Sequence, residues 1–338
     1  MDVMIDVACS RALHHAQWRT STSFMDGAIN YMSPRHWRRC STIPSTAAAN
    51  LRFVPTVCPE LSLPMASRCL LQRGLQRVIF LGDSTTVQLV YTALCEVGHP
   101  ICAPKSITCD AATATSVVNH RSFLLHFVRV AGLEIGILWT KPTSGRAGAY
   151  GWSIREAFRA GALLQPALWM VNFGLWHLTS HDSVLGCETG NMQRCRQVPV
   201  GTVPCSEERL KAARKQYRGE LAGLLHVLSI NASGPILWRD TTAVHPDRMQ
   251  AGVTASVLSK FKCFGNGEVA RLNSAALQTI VRFPRVSVAG HAFNATLPRA
   301  DHTLDGDIRH YDGVVMRELL HLTFLDWCGP HVKMMQTR

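Results

Sequence analysis

Three residue types at widely separated places in this sequence suit acyl transfer. Ser84 lies in "RVIFLGDSTTVQLV", where an apolar run ends on Gly-Asp-Ser and helical periodicity begins. A serine at a helix start faces the positive end of the backbone dipoles, which favours negative charge on its oxygen. The plainer alternative is that Asp83 or Ser84 merely caps the helix. A nucleophilic serine needs a base, and the base needs an acid to orient it. "LDGDIRHYDGVV" supplies Asp307 and His310, three residues apart, about one helical turn, so both can face the same way. Asp301, Asp305 and Asp312 crowd the same stretch, so the base is better defined than the acid. Asn172, in "WMVNFGLWH", can offer a side-chain amide to an oxyanion, and Gly174 permits a close turn after it. An Asx turn ending the strand explains the same Asn.

These residues need a frame. Five apolar runs of strand length occur at 77–82, 133–140, 167–174, 235–240 and 285–290. They are mostly unbroken, as strands covered on both faces should be. Amphipathic stretches lie between them: "STTVQLVYTALCEVG", "SIREAFRAGALL", "SEERLKAARKQYRGELAGLLHVLS" and "EVARLNSAALQTIVRF". The third has Ser206 as N-cap with Glu207 and Glu208 in its first turn. "DGVVMRELLHLTFL" follows His310 and would anchor its loop. Strands alternating with helices predict an α/β fold with a parallel sheet, whose ligand site lies at the carboxyl ends of the strands. Ser84 falls just beyond the first of them. Residues 1–55 lack steady periodicity and read as a poorly ordered extension; 56–332 read as one catalytic domain.

Composition narrows the field. The chain has 338 residues, 47% apolar and 17% charged, which is globular and not disordered. No run of 18 apolar residues predicts a transmembrane helix; "ALWMVNFGLW" and "FLLHFVRVAG" suit buried strands better. A net charge of +12 is mostly diffuse, and no nucleic-acid motif accompanies it, so no nucleic-acid partner is expected. Twelve cysteines without a C-x-x-C, plus the sequons Asn231-Ala-Ser233 and Asn294-Ala-Thr296, favour disulfides and a secretory compartment. Cys187 to Cys205 reads as a disulfide-pinned insertion. The N-terminus, with an acid at its second residue, does not read as a signal peptide. His245 with Asp247, or His302 with Asp305, lack metal-binding spacing, so neither a metal nor a cofactor is expected.

Taken together, "FLGDS", "VNFGLW" and "DIRHY", in that order with the Asp-His pair last, resemble the SGNH/GDSL hydrolase superfamily. The chain is most similar to its PC-esterase branch, which includes the trichome birefringence-like polysaccharide O-acetyltransferases. "LQRGLQRVIFLGDSTTVQLVYTALC", "LWRDTTAVHP" and the closing "LDWC" add to the likeness, which spans about Cys58 to Cys328. The resemblance implies a three-layer α/β/α sandwich on a mainly parallel five-stranded sheet. It implies Ser84 as nucleophile, His310 as base and then acid, and Asp307 as the orienting carboxylate. The oxyanion hole would be the Ser84 amide, the Asn172 side chain and a glycine after the second strand: Gly145 first, with Gly148 and Gly151 open beside it. Arg239 and Trp139, Trp152 and Trp176 are candidates to bind sugar or anion, with Asp83 and Gly174 in the same subsite; packing against the sheet is the alternative for Trp139 and Trp176. Two features depart from the plant pattern: Thr-Thr follows the serine, and "GDIRHYDG" replaces Asp-Cys-x-His-Trp. The implied substrate is an O-acylated, expectedly O-acetylated, glycan in the Golgi lumen or outside the cell. A non-catalytic glycan- or protein-binding module of the same fold is the competing expectation.

Overall fold

The computed structural model describes 61–97, 114–119, 123–140, 149–161, 165–178, 205–248, 263–304 and 307–328, with residues 163 and 261 and short pieces of the first 60 residues. It is an α/β fold around a seven-stranded sheet; two antiparallel pairs, Arg19–Thr20 with Leu51–Arg52 and Ile29–Ser33 with His36–Ile43, form within the first 55 residues and stand apart from it. In chain order its strands are β1 (Arg77–Gly82), β2 (Ala114–Asn119), β3 (Phe123–Val130), β4 (Leu133–Thr140), β5 (Ala167–Asn172), β6 (Ile236–Arg239) and β7 (Val286–Ala289). They lie in the order β7-β6-β5-β1-β4-β3-β2. The five expected strands pair in parallel, β4-β1-β5-β6-β7. The five-stranded expectation needs correcting, because β3 and β2 extend the sheet antiparallel beyond β4.

The extension has a local cause. Ala131 and Gly132, between β3 and β4, both take positive φ, 49° and 88°. A two-residue link of that kind matches the twist of an antiparallel pair. Its Ala-Gly sequence lacks the Asn-Gly signature that would have announced it.

Helices cover both faces. Val78 and Phe80 of β1, Ile135 and Ile137 of β4, and Leu168 and Met170 of β5 face α1 (Leu63–Gln72), α2 (Ser84–Glu96) and α7 (Gly313–Cys328). The alternate residues Ile79, Leu81, Leu138, Trp169 and Val171 face α3 (Ala149–Arg159), α4 (Glu207–Asn231) and α5 (Asn266–Ile280). The period-2 alternation of side chains explains why unbroken apolar runs were needed. Ser206 caps α4 as expected, accepting from the Arg209 amide at 3.2 Å. A short α6 (Ala292–Thr296) is capped by Asp240, which accepts from the Ala292 and Phe293 amides. No helix among the described residues is long and apolar enough to cross a membrane.

Disulfides join Cys9 to Cys58, Cys69 to Cys328 and Cys205 to Cys263 among the described residues, and Cys95 is also disulfide-bonded. Cys205, at the end of the expected insertion, is tied to Cys263 before α5; the rest of that insertion, with Cys187 and Cys195, lies outside the described residues. Within the first 55 residues, Cys9, Leu13 and Phe53 are buried in the core, and the Trp18 indole donates to the Ala295 carbonyl at 2.6 Å. Buried Glu318 of α7 accepts from the Phe53 and Val54 amides at 2.9 and 3.1 Å.

Candidate active site

The parallel strands run in the chain sequence second, first, third, fourth, fifth. The connection from β1 therefore leads to β4 on one side and that from β5 to β6 on the other, which makes the carboxyl ends of β1 and β5 the topological switch point. Gly82 and Asn172 are register partners there. A Cβ on Gly82 would stand 2.0 Å from the Asn172 carbonyl oxygen and 2.3 Å from Thr86 Oγ1, so only glycine lets the two strands close. Asp83, not Ser84, is the cap of α2: its Oδ1 accepts from the Thr85 amide at 3.0 Å and the Thr85 hydroxyl at 2.7 Å. Ser84 is the first helical residue, and an N–H at that position has no acceptor within its own helix. Its side chain is half-buried at the rim.

The other partners arrive from the far end of the chain. His310 Nε2 lies 2.8 Å from Ser84 Oγ, and His310 Nδ1 lies 2.5 Å from Asp307 Oδ2. Asp307 Oδ1 accepts from the main-chain amides of Arg309 and His310 at 3.0 and 3.3 Å. The Asp-x-x-His spacing works because the carboxylate folds the turn with one oxygen and holds the imidazole with the other. Burial alone would raise the Asp307 pKa. The His310 hydrogen bond, the charges of His310 and Arg309, and the Arg309 amide overcome it and hold this carboxyl well below the usual range.

The competing acids sort themselves. Asp312 Oδ2 is 2.6 Å from His302 Nδ1, and Asp312 Oδ1 caps α7 through the Val314 and Val315 amides. Asp301 is exposed and pairs with Arg299. Asp305 lies outside the described residues. The loop is fastened at several further points. Leu304 donates to the His310 carbonyl at 2.9 Å, His245 to the Ile308 carbonyl at 2.7 Å, and the Tyr311 hydroxyl to the Ala243 carbonyl at 2.8 Å. Gln88, fully buried, bonds the Tyr311 main chain. Gln88 and Tyr311 were not singled out from the sequence, and His302, weighed there beside Asp305, pairs instead with Asp312. The usable signal was that Gln88 lies one helical turn beyond Ser84.

The proposed oxyanion donors are unevenly placed. Asn172 is fully buried, and its Nδ2 donates to the Arg239 carbonyl at 2.9 Å and to Thr241 Oγ1 at 3.4 Å. Its Oδ1 accepts from Thr86 Oγ1 at 3.2 Å and Arg239 Nη2 at 3.4 Å. Both amide hydrogens are turned toward the end of β6. Arg239 and Asp83 are buried behind this layer, 3% and 4% exposed, and do not stand on the open side of the site. Burial lowers the Arg239 pKa, opposed by the charges of Asp240, Asp83 and Asp326. Gly174 takes φ 154°, beside Thr241 and the Tyr217 ring. Gly145 lies outside the described residues, as do the side chains of Trp139, Trp152 and Trp176. His245 is occupied by the Thr296 carbonyl at 3.1 Å, and no three His, Cys, Asp or Glu side chains gather among the described residues.

No family model matches the chain, and no curated protein matches it. Solved structures similar to it include futalosine hydrolase of Helicobacter pylori strain 26695, at 14% identity over 75% of this chain and 97% of that one, TM-score 0.23. The 5'-methylthioadenosine/S-adenosyl homocysteine nucleosidase of Helicobacter pylori is 13% identical over 75% of this chain and 99% of its own, TM-score 0.23. A putative nucleosidase of the same type from Francisella philomiragia ATCC 25017 is 12% identical over 75% and 99%, TM-score 0.23. Likeness of that degree assigns no role to any residue here.

Proposed function

We propose that the chain is a serine-dependent acyl-transfer enzyme working through an acyl-Ser84 intermediate. The observation that carries this reading is the continuous relay from Ser84 Oγ to His310 Nε2 and from His310 Nδ1 to Asp307, at the switch point of a mainly parallel sheet. His310 Nε2 takes the hydroxyl proton as Ser84 Oγ bonds to an ester carbonyl carbon. The Ser84 amide at the start of α2 receives the oxyanion. Asn172 joins it if its carboxamide swings away from Thr241, the longer of its two donor contacts. Gly145 is the third donor on the family resemblance. Collapse of the tetrahedral adduct breaks the bond to the leaving alcohol, which departs with the proton from Nε2. A water or a sugar hydroxyl then gives its proton to Nε2, attacks the acyl carbon and frees Ser84.

The motif order and strand order support the SGNH/GDSL reading, in its PC-esterase branch, with an O-acetylated glycan as substrate class. Disulfides and the exposed sequon residues Asn231 and Asn294 support a lumenal or secreted setting. The test is intact-mass spectrometry after brief exposure of the protein to p-nitrophenyl acetate, beside Ser84→Ala. The expected result is one acetyl adduct on Ser84, absent from the variant and drained by water or added oligosaccharide. Equal ester turnover in both proteins, with no adduct, removes the enzyme reading and leaves the binding module.

A further inference from the structure

We infer that Gln88 is the positioning residue that sets the distance between nucleophile and base; the inference rests on the acyl-Ser84 reading. Ser84 and His310 are 226 residues apart, on different elements. The turn of Asp307 fixes the imidazole relative to its own loop and says nothing about where α2 lies. Something must join loop to helix. Gln88 stands one helical turn beyond Ser84, on the same face, fully buried. Its Nε2 donates to the Tyr311 carbonyl at 2.6 Å, and its Oε1 accepts from the Tyr311 amide at 3.4 Å. That amide belongs to the peptide joining His310 to Tyr311, so the clamp closes on the residue next to the base.

The chemistry of the clamp demands this side chain. A primary amide presents one donor and one acceptor in a single plane, matching the antiparallel donor and acceptor of one extended residue. Glu lacks the donor when ionised, Met lacks both groups, and Asn is one methylene short. The Tyr311 carbonyl and amide are buried, and a buried main-chain group left unpaired costs about 1–3 kcal/mol. The loop would shift to regain partners. Tyr311 cannot shift freely on its other side, where its hydroxyl holds the Ala243 carbonyl and its ring meets His245 edge-on at 5.8 Å.

The test compares wild type with Gln88→Met, of similar length without hydrogen bonds, and Gln88→Glu, which keeps the shape and the acceptor. Stopped-flow acylation by p-nitrophenyl acetate gives kcat and KM, and NMR follows the far-downfield proton between His310 Nδ1 and Asp307. The expected outcome is a kcat about 100-fold lower in Gln88→Met with KM little changed, because misplacement by about 1 Å costs that much. The downfield proton is retained, since Asp307 and His310 hold each other within the loop. Gln88→Glu falls between the two and carries the test if Gln88→Met does not fold. Acylation within threefold of wild type in a folded variant overturns the inference, as does a loss of rate accompanied by loss of the downfield proton. Wild type without any Ser84 adduct would instead overturn the nucleophile reading on which it rests, so the two failures are distinct.

Discussion

Asp307→Asn is the substitution that most directly tests the relay. Asp307 uses its two oxygens differently: Oδ1 accepts from the Arg309 and His310 amides, and Oδ2 meets His310 Nδ1 at 2.5 Å. An asparagine satisfies the two main-chain amides only by placing its oxygen at the Oδ1 position. Its NH₂ then points at Nδ1, which must accept, and the ring proton is forced onto Nε2. That nitrogen faces Ser84 Oγ at 2.8 Å and would donate to it instead of taking its proton. The turn survives while the base is lost. Loss of about 10³- to 10⁴-fold in acylation rate is expected, or roughly 4–5 kcal/mol of barrier, the scale seen when a triad carboxylate becomes an amide. Thermal unfolding should stay within a few degrees of wild type. The assay is single-turnover acylation by p-nitrophenyl acetate at pH 7, with Asp312→Asn alongside. An Asp307→Asn rate within tenfold of wild type would refute the reasoning, and a larger loss in Asp312→Asn would move the orienting role to the other Asp-His pair.

Gly82→Ala should both destabilise the protein and slow it. The new Cβ would overlap the Asn172 carbonyl, a backbone atom that cannot retreat without opening the β1–β5 edge beneath Ser84. A loss of at least about 1–3 kcal/mol in denaturant unfolding is expected, and an unchanged midpoint with full activity would contradict the close approach. Glu318 governs a different property. Burial opposes its charge, but His321, Arg317 and Arg52 hold its pKa down to about 2, while Glu318 and Glu96 outweigh burial and raise that of His321 to about 9. The depressed carboxylate stabilises the fold above its unfolded value near 4.5, and that contribution is lost as pH falls through about 2. The raised histidine contributes fully below about 6.5, and its contribution is lost as pH rises through about 9. Wild type should therefore lose stability between pH 6.5 and 9. Glu318→Gln should cost about 3–5 kcal/mol at pH 6 and flatten that slope, as measured by urea unfolding at several pH values. A slope as steep as wild type in the variant would exclude the pair as its cause.

What the sequence revealed and what it hid follow one division. Ser84, Asp307 and His310 were readable because their geometry is made locally: a strand end fixes the first, and a three-residue turn fixes the other two. The unbroken apolar runs announced the parallel sheet beneath them, but bringing loop and helix together also required the bonds of Gln88 to Tyr311. Asn172 was placed at the correct strand end, yet its orientation was hidden. The Arg239 carbonyl and Thr241 hydroxyl that claim its amide belong to β6 and the turn after it, 67 and 69 residues away. Arg239 and Asp83 read as exposed polar candidates because a sequence shows charge but not depth. Gln88 escaped notice for a related reason. Inside "STTVQLVY" it is a polar break in an apolar helix face, and its partner is a main-chain group with no side-chain signature. A buried glutamine one turn beyond a candidate nucleophile is expensive to keep unless both ends of its amide are matched. That cost was the clue available from the sequence: a polar side chain on the buried face of the nucleophile's own helix points to what the nucleophile must be held against.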